Sequence, residues 1–320
     1  MLTSESTTTS LLISESVELS AALTATLASG ADLRVLFIKG PAAVAAGVRP
    51  QRASADIDVL VHPEDTNKLL ALLAERGWKK RPFADGVGIP MHSHTLYHPN
   101  WPSDIDVHFR FPGLDADPGE SFDVLAQNCA NHSFSGVSAP TPCHAGMALI
   151  QITHALRNLH LEDSRSSASQ KDYAFLLDQT ESLRWEELLA VMKGTKSLAA
   201  MKPFLYEAYP TLARDLVFPT PSEDWQSRTA TRYRGTHRLV LLQRASWRNK
   251  PAIIYRSLFP PREHLAAKNL ELLDAKYSTL VKYQLSRIFL FLRLMPQAAQ
   301  ESKRRIIQSE GDQFPKRDNS

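Results

Sequence analysis

Two acidic strand patterns carry the chemistry this chain could do: Ala55-Asp56-Ile57-Asp58-Val59-Leu60-Val61 and Asp104-Ile105-Asp106-Val107-His108-Phe109. In an extended strand, residues two apart face the same side, roughly 6–7 Å from one another, so Asp56 and Asp58 can flank one site while Ile57 and Val59 enter a core. A second strand carrying Asp106 beside them would complete a trio of carboxylates. Like charges packed so closely repel, and a divalent cation with a taste for oxygen ligands, Mg2+ or Mn2+, relieves them. One such acidic pair alone is ordinarily a solvated strand end or a turn cap; two pairs in this order favour a metal site made by Asp56, Asp58 and Asp106.

Histidines surround these strands in sequence. His108 lies two residues after Asp106 and shares its face, which allows a metal, phosphate or acceptor contact, or simply a ring satisfied by its neighbours. His92, His94 and His98 precede the second strand, but their spacing with His108 matches no recognised zinc pattern. His154 falls on a helical pattern with Leu149, Ile150 and Leu156, where it either packs or lines a cleft.

The elements that must hold these groups follow from periodicity. Val17, Leu19, Leu23 and Leu27 predict an amphipathic helix over 16–27 that stops at Gly30. Val35-Leu36-Phe37-Ile38 predicts a buried strand ending at Lys39-Gly40-Pro41, with Pro41 suited to a first helical turn. Pro63-Glu64-Asp65 opens a further helix with acids at its positive end, and Leu69, Leu70, Leu72 and Leu73 form its apolar side up to Gly77. After a Pro/Gly-rich loop, Thr95-Leu96-Tyr97 predicts a strand, and Pro99 to Ser103 a turn into the Asp106 strand. Beyond about Pro142 the patterns become long and helical: 147–160, 172–183, 185–192 and 265–294, the last divided, with a Pro/Arg-bearing stretch over 250–263 between them. The expected fold is α+β, a small mixed sheet flanked by helices over 1–140, then a mainly helical domain over 141–305 and a polar tail over 306–320.

Composition bounds the rest. The chain has 320 residues, 43% hydrophobic, ample for real cores. Its net charge of +3 implies no overall field that would recruit nucleic acid or an anionic membrane, so basic residues must be judged locally. Cys129 and Cys143 lack the spacing of a zinc ribbon or redox pair, and no secretory leader or membrane-spanning run is evident, which points to the cytoplasm. The basic residues Lys303, Arg304, Arg305, Lys316 and Arg317 lack interleaved aromatics, so sequence-specific nucleic-acid binding is not supported.

Lys39-Gly40, Arg52 four residues before Asp56-Ile57-Asp58-Val59-Leu60-Val61, and Ile105-Asp106-Val107-His108 together resemble the uncharacterised nucleotidyltransferases of the polymerase-β-like superfamily. The helical stretches Ala148 to His154 and Lys171 to Asp178 extend that resemblance over most of the chain. It implies that Asp56 and Asp58 bind the magnesium that chelates nucleoside triphosphate, that Asp106 binds the catalytic metal and helps deprotonate an acceptor hydroxyl, and that pyrophosphate leaves. Lys39, Gly40 and Arg52 would hold phosphates, the backbone at Lys39-Gly40 by its N–H groups and Arg52 by its two-pronged guanidinium, with Arg49 as a lesser candidate. Gly40-Pro41 replaces the Gly-Ser common in the superfamily, removing a hydroxyl and an N–H. His108, His154 and Lys171 would stand nearer the acceptor, although Lys171 and Asp172 also read as a solvated helix start. The acceptor could be a sugar, a small molecule, a peptide natural product or a macromolecule. The competing readings are a catalytically silent nucleotide-binding protein and a toxin-like enzyme acting on RNA or protein.

Overall fold

Alternation in the two acidic strands decides the architecture, because their apolar residues and their carboxylates must face opposite sides of one sheet. The computed structural model describes residues 11–82, 90–159, 161, 164–229, 239, 242–243, 245–262, 265 and 269–311, with the side chains of 164, 165, 270 and 301–311 outside that description. Strands β1 (Val35–Ile38), β2 (Asp56–Val61), β3 (Lys79–Lys80), β4 (Ser93–His98) and β5 (Trp101–His108) form a sheet in the order β1-β2-β5-β4-β3. β2 and β5 are parallel, and the other neighbours antiparallel, so the sheet is mixed as expected. Ile57, Val59, Ile105 and Val107 are all buried on one face.

Helix α1 (Ile13–Gly30) covers that apolar face; of the predicted residues Val17 is buried and Leu23 and Leu27 are half-buried, but most of its buried side is small. Leu19 is exposed, whereas Ser16, Ser20, Ala21, Thr24, Ala25 and Ala28 are buried. Small residues let the helix approach the sheet closely, and Ser16 Oγ sits 2.6 Å from Ser103 Oγ on β5. Thr24 satisfies its hydroxyl on the Ser20 carbonyl at 2.8 Å, so the polar atoms on this face cost little when buried. The helix is therefore held by backbone proximity rather than by bulky side chains.

Helix α2 (Gly40–Ala45) follows β1, and α3 (Thr66–Glu75) buries Leu69, Leu70 and Leu73. The acids expected to complement the α3 dipole instead clamp an arginine: Arg34 Nε donates to Asp65 Oδ2 at 2.8 Å and Nη2 to Glu64 Oε2 at 2.7 Å. Several elements went unpredicted, among them β3, α4 (Pro118–Ala126), and the hairpin of β6 (Ala130–Phe134) and β7 (Val137–Thr141). The hairpin turns through Ser135 and Gly136, both at positive φ, and packs Phe134 against Phe37 with ring centroids 5.2 Å apart.

Helices α5 (His144–Asn158), α6 (Ser164–Asp178), α7 (Trp185–Gly194), α8 (Leu198–Ala208), α9 (Pro210–Arg214), α10 (Glu223–Thr229), α11 (Lys250–Leu258) and α12 (Tyr277–Gly311) follow, with 3-10 turns over Thr180–Ser182 and Leu270–Leu273. Thus α6 begins well before Asp172 and ends before Leu183, and the stretch over 250–263 contains a helix rather than only a connection. His160, the loop residues 83–89, and Lys316 and Arg317 lie outside the described residues, as do the side chains of Lys303, Arg304 and Arg305. No helix among the described residues is long and apolar enough to cross a membrane.

The chain divides into two compact units, one of Met1–Lys80, His92–Ala155 and Lys171–Pro221, the other of Arg81–Met91, Leu156–Gln170 and Ser222–Ser320. The first holds the sheet. The second has a small core in which Leu273, Ala275, Leu280 and Tyr283 pack on buried Leu265 and Leu272. Arg262 fastens it by donating from Nε to the Leu272 carbonyl at 2.8 Å and from Nη2 to that of Ala275, while Gln284 Nε2 donates to the Leu258 carbonyl.

Candidate active site

Parallel pairing of β2 with β5 sets Asp58 directly beside Asp106 and Asp56 beside Asp104, so four carboxylates line one face. Asp104 was not anticipated as part of the site, although its two-residue spacing from Asp106 was the available signal. Asp58, Asp106 and His108 each present a ligand atom within 4.8 Å of the others. Asp56, at the exposed start of β2, stands outside that group. His108, two residues after Asp106 on the same strand, is the third member of that group.

Asp58 is buried, and one of its oxygens receives two partners. Lys39 Nζ forms an ion pair with Oδ1, and His108 Nε2 lies 2.8 Å from the same atom. Burial alone would raise this carboxyl, but the Lys39 charge and the His108 contact overcome it and hold Asp58 well below the usual range. Asp106 Oδ1 accepts from Thr95 Oγ1 at 2.5 Å, across the β4–β5 pair that places these residues opposite each other. Asp56 behaves oppositely: desolvation in its recess, then the charge of Asp58, push it up to about 6, against the pull of Lys39. Desolvation does most of this and the neighbouring Asp58 charge adds to it; hard carboxylate oxygens are the donors Mg2+ prefers. Such a cation fits the donor set.

Lys39 reaches Asp58 because of an unusual turn. After β1 the backbone passes through positive φ at both Lys39 (60°) and Gly40 (48°). At Lys39, a residue with a side chain, this costs about 1–3 kcal/mol. A Cβ on Gly40 would meet Ser54 Oγ at 3.4 Å, so the glycine is needed mainly for its backbone angle. Helix α2 spans only six residues, which leaves the turn itself, rather than a long helix dipole, facing the carboxylates.

A recess beside the cluster is lined by Lys39, Arg49, Arg52, Asp56, Asp58, Gln151, His154 and Asp172. Arg52 is engaged in a forked pair, Nη1 to Asp172 Oδ1 at 2.5 Å and Nη2 to Asp172 Oδ2 at 2.8 Å. Asp172 is buried in mid-α6, which overturns its reading as a solvated helix start. Lys171, next to it, is exposed and does not line the recess. Arg49 donates to Ser54 Oγ at 3.1 Å, while its buried Nε has no hydrogen-bond partner among the described residues. Desolvation, then repulsion from Arg52, lowers its guanidinium from the ordinary value, against the pull of Asp172, Asp58 and Asp56. Gln151, one helical turn before His154, is also buried, and its Nε2 has no hydrogen-bond partner among the described residues. Neither Gln151 nor the Arg52–Asp172 pair was found from sequence; the three-residue spacing of Gln151 and His154 on one helix face could have disclosed the first.

The remaining histidines stand against different neighbours: His92 near the His108 ring, His94 against Phe109, and His98 against Trp78 and Trp101. Cys129 is exposed and Cys143 partly exposed, each as a thiol.

A family described as uncharacterised nucleotidyltransferase matches residues 12–229, which contain the sheet, the acidic cluster and the recess. The chain belongs to this family and is a nucleotidyltransferase. No characterised protein matches it in sequence. Among solved structures, the lincosamide antibiotic adenylyltransferase LnuA with lincomycin bound is 14% identical, with a TM-score of 0.32 over 49% of this chain and 96% of that one. An antigenic nucleotidyltransferase-like protein from Paracoccidioides brasiliensis is 12% identical, with a TM-score of 0.37 over 68% and 98%. The antibiotic-resistance factor ANT(2'')-Ia is 13% identical, with a TM-score of 0.36 over 61% and 98%. Likenesses this loose do not identify an acceptor.

Proposed function

We propose that the protein transfers a nucleoside monophosphate from a nucleoside triphosphate to a hydroxyl or phosphate of a small acceptor, a sugar or a peptide natural product, in a magnesium-dependent reaction that releases pyrophosphate in the cytoplasm. The observation that supports it is the in-register pairing of Asp58 with Asp106 beside a recess lined by Lys39, Arg49 and Arg52. Asp56, Asp58 and Asp106 would hold Mg2+, which supplies positive charge for the triphosphate and for the oxygens entering and leaving phosphorus. Asp106, whose Oδ1 accepts from Thr95, would take the proton of the acceptor hydroxyl.

Lys39 can pass its ammonium from Asp58 to a phosphate oxygen, and the N–H groups at Lys39 and Gly40 lie on the same turn. Arg49, bonded only to the neutral Ser54 hydroxyl among the described side chains, is the guanidinium more readily turned to phosphate; Arg52 would have to exchange Asp172 for it. Gln151 and His154 of α5 would form the acceptor side, with exposed Lys171 a more distant contact.

Incubating the protein with labelled nucleoside triphosphates, Mg2+ and a panel of acceptors should yield labelled product, and Asp106→Asn should reduce turnover by at least about a thousandfold without unfolding the chain. Magnesium-dependent nucleotide binding by calorimetry without turnover of any acceptor would instead favour the silent binding protein. Retained turnover in Asp106→Asn would move the chemistry to another carboxylate.

A further inference from the structure

The net charge of +3 averages over two opposite halves. From Trp225 to Gln300 the sequence holds fourteen lysines and arginines against three acids, Glu263, Glu271 and Asp274, and from Ala275 to Gln300 it holds no acid at all. The rest of the chain is correspondingly acidic.

Helix α12 presents this basic stretch with a second apolar face. Its inward side is already used, since Leu280 and Tyr283 pack on the small core of Leu265 and Leu272. With 100° between successive residues, Tyr277, Val281, Leu285, Phe289 and Leu292 fall on a different stripe. These residues are open to solvent, Tyr277 at 81%, Phe289 at 71% and Leu285 at 60%. Lys282 and Arg293, both exposed, flank the stripe on one side. In the same unit, exposed Trp247, Tyr255 and Phe259 accompany Arg248 and Arg256 around α11.

The chemistry of the missing partner is set by three points. A second copy meeting this stripe face to face would bring Lys282 and Arg293 against their own kind, with no acid between Ala275 and Gln300 to compensate. Nucleic acid would welcome the cations and aromatic rings, but an aliphatic ridge of Val281, Leu285 and Leu292 has nothing to bury itself in there. An anionic bilayer supplies both needs: phosphates for the cations and hydrocarbon for the ridge, with long basic side chains extending to the headgroups. The stripe from Tyr277 to Met295 is about 27 Å long at 1.5 Å per residue, and its Lys282, Arg287 and Arg293 suit it to lying in the membrane plane rather than crossing it.

We infer, independently of the reading of the active site, that α12 is an in-plane anchor by which the protein docks on an anionic lipid surface.

Flotation of the full chain with vesicles tests it. The protein should float with phosphatidylcholine vesicles containing about 30% phosphatidylglycerol, much less with phosphatidylcholine alone, and less as salt rises. Leu285→Ser with Phe289→Ser should reduce partitioning at least about tenfold, and Lys282→Glu with Arg293→Glu by about tenfold or more. Helix content and the unfolding midpoint should stay at parental values, because all four side chains are exposed. Failure to float with anionic vesicles at low salt, or equal flotation by both double variants, would overturn the proposal. So would light scattering that shows a stable dimer broken by Leu285→Ser with Phe289→Ser, or single-stranded RNA binding that this pair abolishes while vesicle binding is unchanged.

Discussion

At the scale of single residues, the site sets carboxylates and cations side by side where burial shifts both. Asp58 has Lys39 and His108, whereas Asp56 is raised and Arg49 lowered from their ordinary values. The Arg52–Asp172 pair links the loop before β2 to α6 across 120 residues, and its carboxylate is buried. Removing one member of such a pair leaves the other uncompensated, so Asp172→Asn should lower stability by about 2 kcal/mol in a denaturant titration. Arg52→Lys, which keeps charge but cannot bridge both oxygens, should fall between parent and Asp172→Asn. A stability loss with unchanged nucleotide affinity would make the pair purely structural; weakened affinity would give it a share in arranging the recess.

At the scale of elements, the acidic strands were legible because alternation leaves Ile57, Val59, Ile105 and Val107 only one face to bury, and so fixes the other for Asp56, Asp58 and Asp106. The turn after β1 was equally legible in Lys39-Gly40-Pro41. Helix α1 was legible as a helix but only partly in its orientation: hydrophobicity points to Val17, Leu19, Leu23 and Leu27, of which Val17 alone is fully buried, while proximity to β5 selects Ser16, Ser20, Thr24 and Ala28. Ser20→Leu should therefore destabilise the protein by about 1–3 kcal/mol in thermal or chemical unfolding, whereas Leu19→Ser on the exposed side should be nearly silent. The Arg52–Asp172 contact was not legible, since nothing local in a helix tells which distant loop its carboxylate will meet. The clamp at the start of α3 carries a pH dependence. Hydrogen bonding to Arg34 holds Asp65 below its ordinary value, so its contribution is present above the unfolded carboxyl's pKa and is lost as pH falls through the folded one. Asp65→Asn should be less stable than the parent at neutral pH and should converge with it in acid, read as urea midpoints at each pH.

At the scale of the molecule, two surfaces with different demands occupy different units. Hydrogen exchange should separate them: Mg2+ with nucleotide should protect amides around 38–40, 49–58 and 104–108 while leaving 277–295 unchanged, and anionic vesicles should do the reverse. Slowing of both regions by the nucleotide would mean that the units respond together. The units are also interleaved along the chain, for the first is assembled from three stretches ending at Pro221 and the second from three ending at Ser320. No single cut in the gene releases either one whole. On the ribosome, the acidic strands emerge long before Gln151 and Asp172, so the nascent polypeptide must carry Arg52 without its carboxylate until α6 is synthesised. Completion of the pocket is thus a late event in biogenesis, and synthesis halted before α6 would leave a sheet bearing its acids but no finished cavity in which to use them.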